Sequence, residues 1–176
     1  MDSKDEEKRI AMTLARRAYL YGAFHVVFGG GVHEASAAQL FGENTAGALA
    51  WLAGKVAADE GLSEKSVGLS LRTMTECVAE AVACVGEHSE GDAVSKATVA
   101  MEEDFPKLFQ VPGDSYVRPW ESPYTSTDGM LFRGSTLDVR SFYHQAGFRL
   151  QAEQHFPDDH ISAMMDFMAR MSQCVL

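Results

Sequence analysis

Ser3-Lys-Asp-Glu-Glu-Lys-Arg-Ile-Ala-Met-Thr-Leu-Ala-Arg-Arg-Ala-Tyr-Leu-Tyr-Gly-Ala-Phe-His-Val-Val-Phe28, followed by Gly29, Gly30 and Gly31, is the stretch whose reading decides the fold class. Ser3 and Glu6 form a capping-box pattern, and Ile10, Leu14, Ala18, Tyr21, His25 and Phe28 then recur at helical spacing. The spacing predicts one long helix to about Phe28, stopped by the glycine triplet. With no preceding strand and no phosphate-loop pattern, the triplet reads as a helix terminator rather than a phosphate site.

Working outward, a short helix is expected over Glu34 to Phe41. Asn44 can cap another that carries Leu49, Trp51, Leu52 and Val56 and ends at Gly61. Ser63 opens a longer one, with Val67, Leu71, Met74, Val78, Val82 and Val85 as a single apolar stripe. A further helix runs from Asp92 to the region of Pro106, with Val94, Ala97, Met101, Phe105 and Leu108 on its buried side. Ser135 and Asp138 begin the next, bearing Leu137, Val139, Phe142, Tyr143 and Ala146 up to Gly147. Asp158 is expected to cap the last, with Ile161, Met164, Met165, Met168 and Met171 as its core side. No segment shows the sustained alternation of a sheet, so the fold is expected to be all-α, one helical bundle over residues 1–176. A hinge is expected in the loop at 110–134.

The 176 residues suffice for a domain with a sizeable core, and 46% hydrophobic with 23% charged residues excludes a disordered chain. A formal net charge of -10 argues against nucleic acid and favours a basic peptide or no charged partner. Cys77 and Cys84 lie about 10 Å apart along one predicted helix, beyond disulfide reach. These two and Cys174 therefore read as reduced thiols, filling core rather than doing chemistry. Arg16-Arg17 before an apolar stretch superficially matches a twin-arginine export motif. The acidic residues ahead of it and the His25 and glycines behind it suit neither a signal sequence nor a membrane span. A soluble, unexported, cytoplasmic protein without stable membrane insertion is expected.

Two dense segments are the candidate sites. From Glu103 to Tyr124, Pro106, Pro112, Pro119 and Pro123 stiffen a loop that holds Trp120 and Tyr124 in defined directions, for recognition or simply to cap the core. His155-Phe-Pro-Asp-Asp-His160 is a proline-opened helix start with two carboxylates and two imidazoles. Asp158 has a structural explanation as cap and dipole partner, whereas His160 stands beside the apolar stripe and can pair with Asp159 or an incoming group. A metal-dependent helical hydrolase using His155, Asp159 and His160 is an alternative, although His-Glu-x-x-His spacing is absent. Nucleophilic catalysis finds no Gly-x-Ser-x-Gly elbow, and no Cys-x-x-Cys pair is present.

Taken in order, Asp104-Phe105 with Leu108-Phe109 and Pro112-Gly113, then Pro119-Trp120-Glu121-Ser122 with Tyr124, then Ser135 to Val139 with Tyr143 and Gly147, then Pro157 with Asp159-His160, resemble the TorD/DmsD family of molybdoenzyme maturation chaperones. The resemblance covers nearly the whole chain. It implies a TorD-like all-helical chaperone that binds the twin-arginine leader of an apo-molybdoenzyme catalytic subunit, delays export and assists cofactor insertion. It implies no reaction, no resident cofactor and no metal. It also implies leader-binding residues at Pro119, Trp120, Ser122, Tyr124, Pro157, Asp159 and His160, to which Glu121 is added as a second candidate carboxylate. Asp159, with Glu121, is expected to receive the arginines, and Trp120 and Tyr124 the apolar part. Phe156 stands where the family usually has an acidic residue, so that anionic contact is expected to be either missing or supplied by Glu153. Relatives commonly continue through further helices, so a homodimer that completes the bundle by helix exchange is expected as one arrangement. A non-catalytic helical scaffold is the remaining alternative.

Overall fold

A computed structural model describes residues 3–58, 71–88, 91–132, 134–151, 153 and 155–175. The described residues are mostly helical, and no strand occurs among them, so the all-α expectation holds. Among the described residues the helices are α1 (Ser3–Phe28), α2 (Glu34–Leu40), α3 (Glu43–Ala58), α4 (Leu71–Glu87), α5 (Asp92–Phe109), α6 (Ser122–Thr125), α7 (Gly134–Gln145) and α8 (Ile161–Cys174). The expected starts and stops at Ser63 and Gly61, and the Val67 position, lie outside the described residues, as do the side chains of Val56, Leu71, Met74 and Val78.

The chain divides into two compact units, Met1–Gly31 with Glu102–Leu176, and Val32–Met101. In the second unit α3 packs along α4 and α2 abuts α3. Its core includes Ala37, Leu40, Phe41, Ala48, Leu49 and Val85. Thr45 donates its hydroxyl to the Gln39 carbonyl at 3.0 Å, tying the α2–α3 turn. The whole 110–134 segment lies in the first unit.

The first unit is organised by α1 against α8. The buried positions of α8 are Ser162, Ala169 and Ser172, a row of small side chains. The expected methionines stand to its sides, and Met168 is exposed. Small residues allow the backbones to approach closely. A Cβ at Gly29 would lie 2.8 Å from both the Ser162 hydroxyl and the His25 carbonyl. Gly30 has φ +72°, so the triplet both ends α1 and permits the approach.

Several local expectations change. Glu6 turns to Arg9 at 2.6 Å instead of reaching back to Ser3, whose hydroxyl meets Glu7. Helix α3 begins at Glu43, one residue before the expected cap Asn44. Helix α5 runs through Pro106 to Phe109, and the Pro106 carbonyl then accepts from the amides of Gln110 and Val111 at 2.9 and 2.8 Å. A proline three residues before a helix end removes only one intrahelical bond, which the last turn tolerates. Leu108, Leu137 and Phe142 are exposed, contrary to their expected core positions, while Thr136 and Tyr143 form the buried line of α7. The three cysteines are free and exposed rather than core-filling.

Gly29→Ala is expected to destabilise the protein by about 1–3 kcal/mol, because the new methyl must displace both a backbone carbonyl and Ser162. Urea unfolding of the variant beside wild type measures it.

Candidate functional site

The segment after α5 is pinned at once, by the Val117 amide donating to the Leu108 carbonyl at 2.7 Å. It then runs antiparallel to the turn before α8. The Ile161 amide donates to the Pro119 carbonyl at 2.8 Å and the Glu121 amide to the Asp159 carbonyl at 3.1 Å, which pairs Trp120 with His160. Below this bridge lies the Asp159 carboxylate, 0% exposed. One oxygen accepts the Ser122 amide at 2.7 Å and the other the Thr136 hydroxyl at 3.2 Å.

The family resemblance leads one to expect Asp159 to meet an arginine of a ligand. Its burial and its two internal donors make it instead the clamp that joins the proline loop, α7 and the turn before α8. Asp158, expected to cap α8, is also buried and pairs with Arg140, whose Nε and Nη2 reach one carboxylate oxygen at 2.9 and 2.5 Å. Its carbonyl accepts the Tyr143 hydroxyl at 3.0 Å. Burial pushes the Tyr143 phenol well above its ordinary value, with the negative charges of Asp158 and Asp159 adding to the effect. The cap of α8 is His160, whose Nδ1 accepts the Ser162 amide at 3.1 Å.

A cavity of about 560 Å³ opens beside these elements, within the usual range of ligand clefts of about 300–1,000 Å³. One wall is Phe28, Phe105 and Phe109, with ring centroids 5.7 Å apart for Phe28–Phe109 and 5.3 Å for Phe105–Phe109. The facing wall is Trp120, Phe156 and His160, at 6.3 Å for Trp120–Phe156, 5.5 Å for Trp120–His160 and 5.1 Å for Phe156–His160. His25 closes one side. Its Nδ1–H lies 2.9 Å from the Ser162 carbonyl and 3.0 Å from the Ser162 hydroxyl, which in turn donates to the His25 carbonyl at 3.1 Å. Tyr116, Pro119 and Asp166 also line the space.

Of the eight expected site residues, Pro119, Trp120 and His160 line this cavity. Ser122, Pro157 and Asp159 are buried behind it as supports. Glu121 is half-buried and carries the bridge through its amide. Tyr124 points elsewhere: it is 66% exposed and donates to the Arg118 carbonyl at 3.1 Å. Glu153, expected to stand in for the missing acid, is occupied by His144 at 3.0 Å, and that bond holds its carboxyl below the usual range. His25, Phe28 and Asp166 join the site without having been singled out by the sequence. His160, Ala163 and Asp166 succeed each other at i+3 spacing on α8, which is the signal that could have found the last.

The metal alternative finds no support in this arrangement. Both Asp159 oxygens and the His160 Nδ1 are already bonded within the protein, and no group of three metal-binding side chains occurs among the described residues. No described helix is long and apolar enough to cross a membrane.

Fold and site thus define an all-helical protein with an aromatic cavity suited to holding a ligand. Residues 70–175 match the family described as nitrate reductase delta subunit, and the chain belongs to this family, within the TorD/DmsD group. A protein of Haemophilus influenzae named "Probable Tat proofreading chaperone DmsD" is 31% identical over 71 residues, 40% of this chain and 35% of that relative. The match therefore spans about a third of the relative's length. No solved structure matches the chain.

Asp159→Ala is expected to cost about 2–5 kcal/mol of stability and to release the 119–125 loop, because it strands the Ser122 amide and the Thr136 hydroxyl. Chemical denaturation and hydrogen exchange of residues 119–125 check both parts. A pH dependence arises from His160, which burial pushes below 6.5 while the Asp159 charge acts in the opposite sense. With the folded-state value lowered, its neutral ring contributes fully above about pH 6.5, and that contribution is lost as pH falls from there toward the folded value. His160→Asn keeps a capping acceptor and is expected to remove this component, which is the loss of stability as pH falls below about 6.5. An unchanged pH slope in urea midpoints would count against it.

Proposed function

We propose that this protein is a cytoplasmic chaperone that binds the twin-arginine leader of a molybdopterin-dependent oxidoreductase. In this reading it holds the apo catalytic subunit back from export while cofactor insertion and folding proceed, and it performs no chemical step. The observation that carries the reading is the cavity: six aromatic residues, Phe28, Phe105, Phe109, Tyr116, Trp120 and Phe156, one carboxylate, and no lysine or arginine among its described lining. Such a lining suits a segment that presents guanidinium groups next to apolar side chains, through stacking and charge-assisted bonds. The net charge of -10 adds attraction for a basic peptide. Family membership and a relative named as a Tat proofreading chaperone support the same conclusion.

In the proposed arrangement Trp120 and His160 receive the peptide, and Pro119, Ser122, Pro157 and Asp159 hold those two rings in place. Glu121 and Tyr124 border the loop outside the cavity. Titration calorimetry with a leader peptide of the host's molybdoenzymes tests the proposal against a scrambled peptide of the same composition. Wild type is expected to prefer the leader, and Trp120→Ala to lose about 1–3 kcal/mol of binding. Equal binding of leader and scrambled peptide would sink the reading.

A further inference from the structure

We infer that Asp166 receives a guanidinium of the bound peptide, with Arg170 occupying that carboxylate in the free protein. The inference rests on the leader-binding reading and assigns the charge contact within it.

Asp166 lies on α8, two helical steps of three beyond His160, and is the one acidic residue among the described lining of the cavity. Of the other carboxylates of this region, Glu121 lies outside the cavity lining and three more are committed within the protein. Asp159 is fully buried on Ser122 and Thr136, Asp158 is 1% exposed and paired with Arg140, and Glu153 is held by His144. Asp166 keeps 23% of its side chain exposed. It accepts from the Arg170 Nε, which lies 3.0 and 3.1 Å from its two oxygens.

A carboxylate offers about four acceptor positions, so a single N–H shared between its oxygens leaves room for a second donor. Arg170 is itself replaceable. Its side chain is 62% exposed, and its guanidinium lies over the Phe148 ring at 5.7 Å, where it can stay if the carboxylate turns to another partner. The free protein thus shows an arginine side chain meeting Asp166 with an aromatic face beneath it. An incoming arginine would find the same pairing from the cavity side, with the Trp120, Phe156 and His160 rings supplying the faces. The flat, weakly hydrated guanidinium suits such walls better than an ammonium, so arginine is expected to be preferred to lysine.

Calorimetric titrations of wild type, Asp166→Asn and Arg170→Gln with the leader peptide, and with forms in which each arginine is replaced by glutamine, test this at low and high salt. Asp166→Asn is expected to bind the leader about tenfold more weakly at low salt, with a flatter salt dependence. It should show no further loss against the peptide lacking the contacting arginine. Arg170→Gln should bind a few-fold more tightly, since the internal competitor is gone. Thermal melts guard against misfolding, and an exposed i,i+4 pair contributes little to stability. Asp166→Asn binding like wild type, or losing equally against every peptide with its salt dependence unchanged, would overturn the inference. Failure of wild type to distinguish leader from scrambled peptide would instead remove the chaperone reading. A short Phe-Arg-Phe peptide with no leader sequence then still decides the role of Asp166: loss in Asp166→Asn supports it, and no binding or equal binding rejects it.

Discussion

The buried carboxylate of Asp159 is the constraint on which the site depends. A charge taken out of water is tolerated only when donors replace the lost hydration, and here they come from the proline loop through Ser122 and from α7 through Thr136. Because Asp159 itself belongs to the turn before α8, three segments distant in sequence are fixed to one point. The backbone bridge of Trp120 with His160 sits directly on that point, so the direction of the indole is set by a hydrogen-bonded lattice and not by the prolines alone. Asp158 repeats the device one residue earlier, facing Arg140 and Tyr143, so neither neighbour can turn outward without leaving buried donors unpaired.

The second wall depends on a different constraint, the close approach of α1 and α8. Ser162 meets the end of α1 through its hydroxyl and its carbonyl, and Gly29 leaves the space for it. The same serine gives its amide to His160, so the cap of α8 and the contact with α1 are one structure. The cavity lies between a rigid bridge and a rigid helix crossing, which pre-organises its rings and lowers the entropic cost of filling it.

Helical periodicity made the fold class legible, because Ile10 to Phe28 and Val94 to Phe105 have no competing reading as strands. Burial was less legible. Leu137 and Phe142 are apolar yet exposed, and α8 buries its serines and alanine instead of its methionines, because a close helix crossing selects for size and not for hydropathy. In the site, the proline loop and the Asp159-His160 turn were legible as dense polar and aromatic clusters, but their roles were not. Whether a carboxylate faces a ligand or the interior depends on partners such as Thr136, 23 residues away, which no local pattern reports. Asp166 was hidden for the opposite reason, as an ordinary charge within a methionine-rich helix.

Phe156 brings no charge to the site, and its ring completes the wall with Trp120 and His160. His160 adds no compensating charge near neutrality, since burial favours its neutral form and its Nδ1 lone pair is committed to the cap. The cavity therefore combines one partly screened carboxylate with an extended neutral aromatic surface. Recognition in such a space takes most of its free energy from burying and stacking flat or apolar groups, and the single charge sets which cation is accepted and how it is oriented. A ligand that offered arginines without adjacent apolar side chains would leave the rings uncovered, and an apolar ligand without a cation would leave Asp166 on Arg170. On the proposed leader-binding reading both features are needed in one segment, and a basic, apolar peptide fits that reading better than either a polycation or a plain hydrophobic helix.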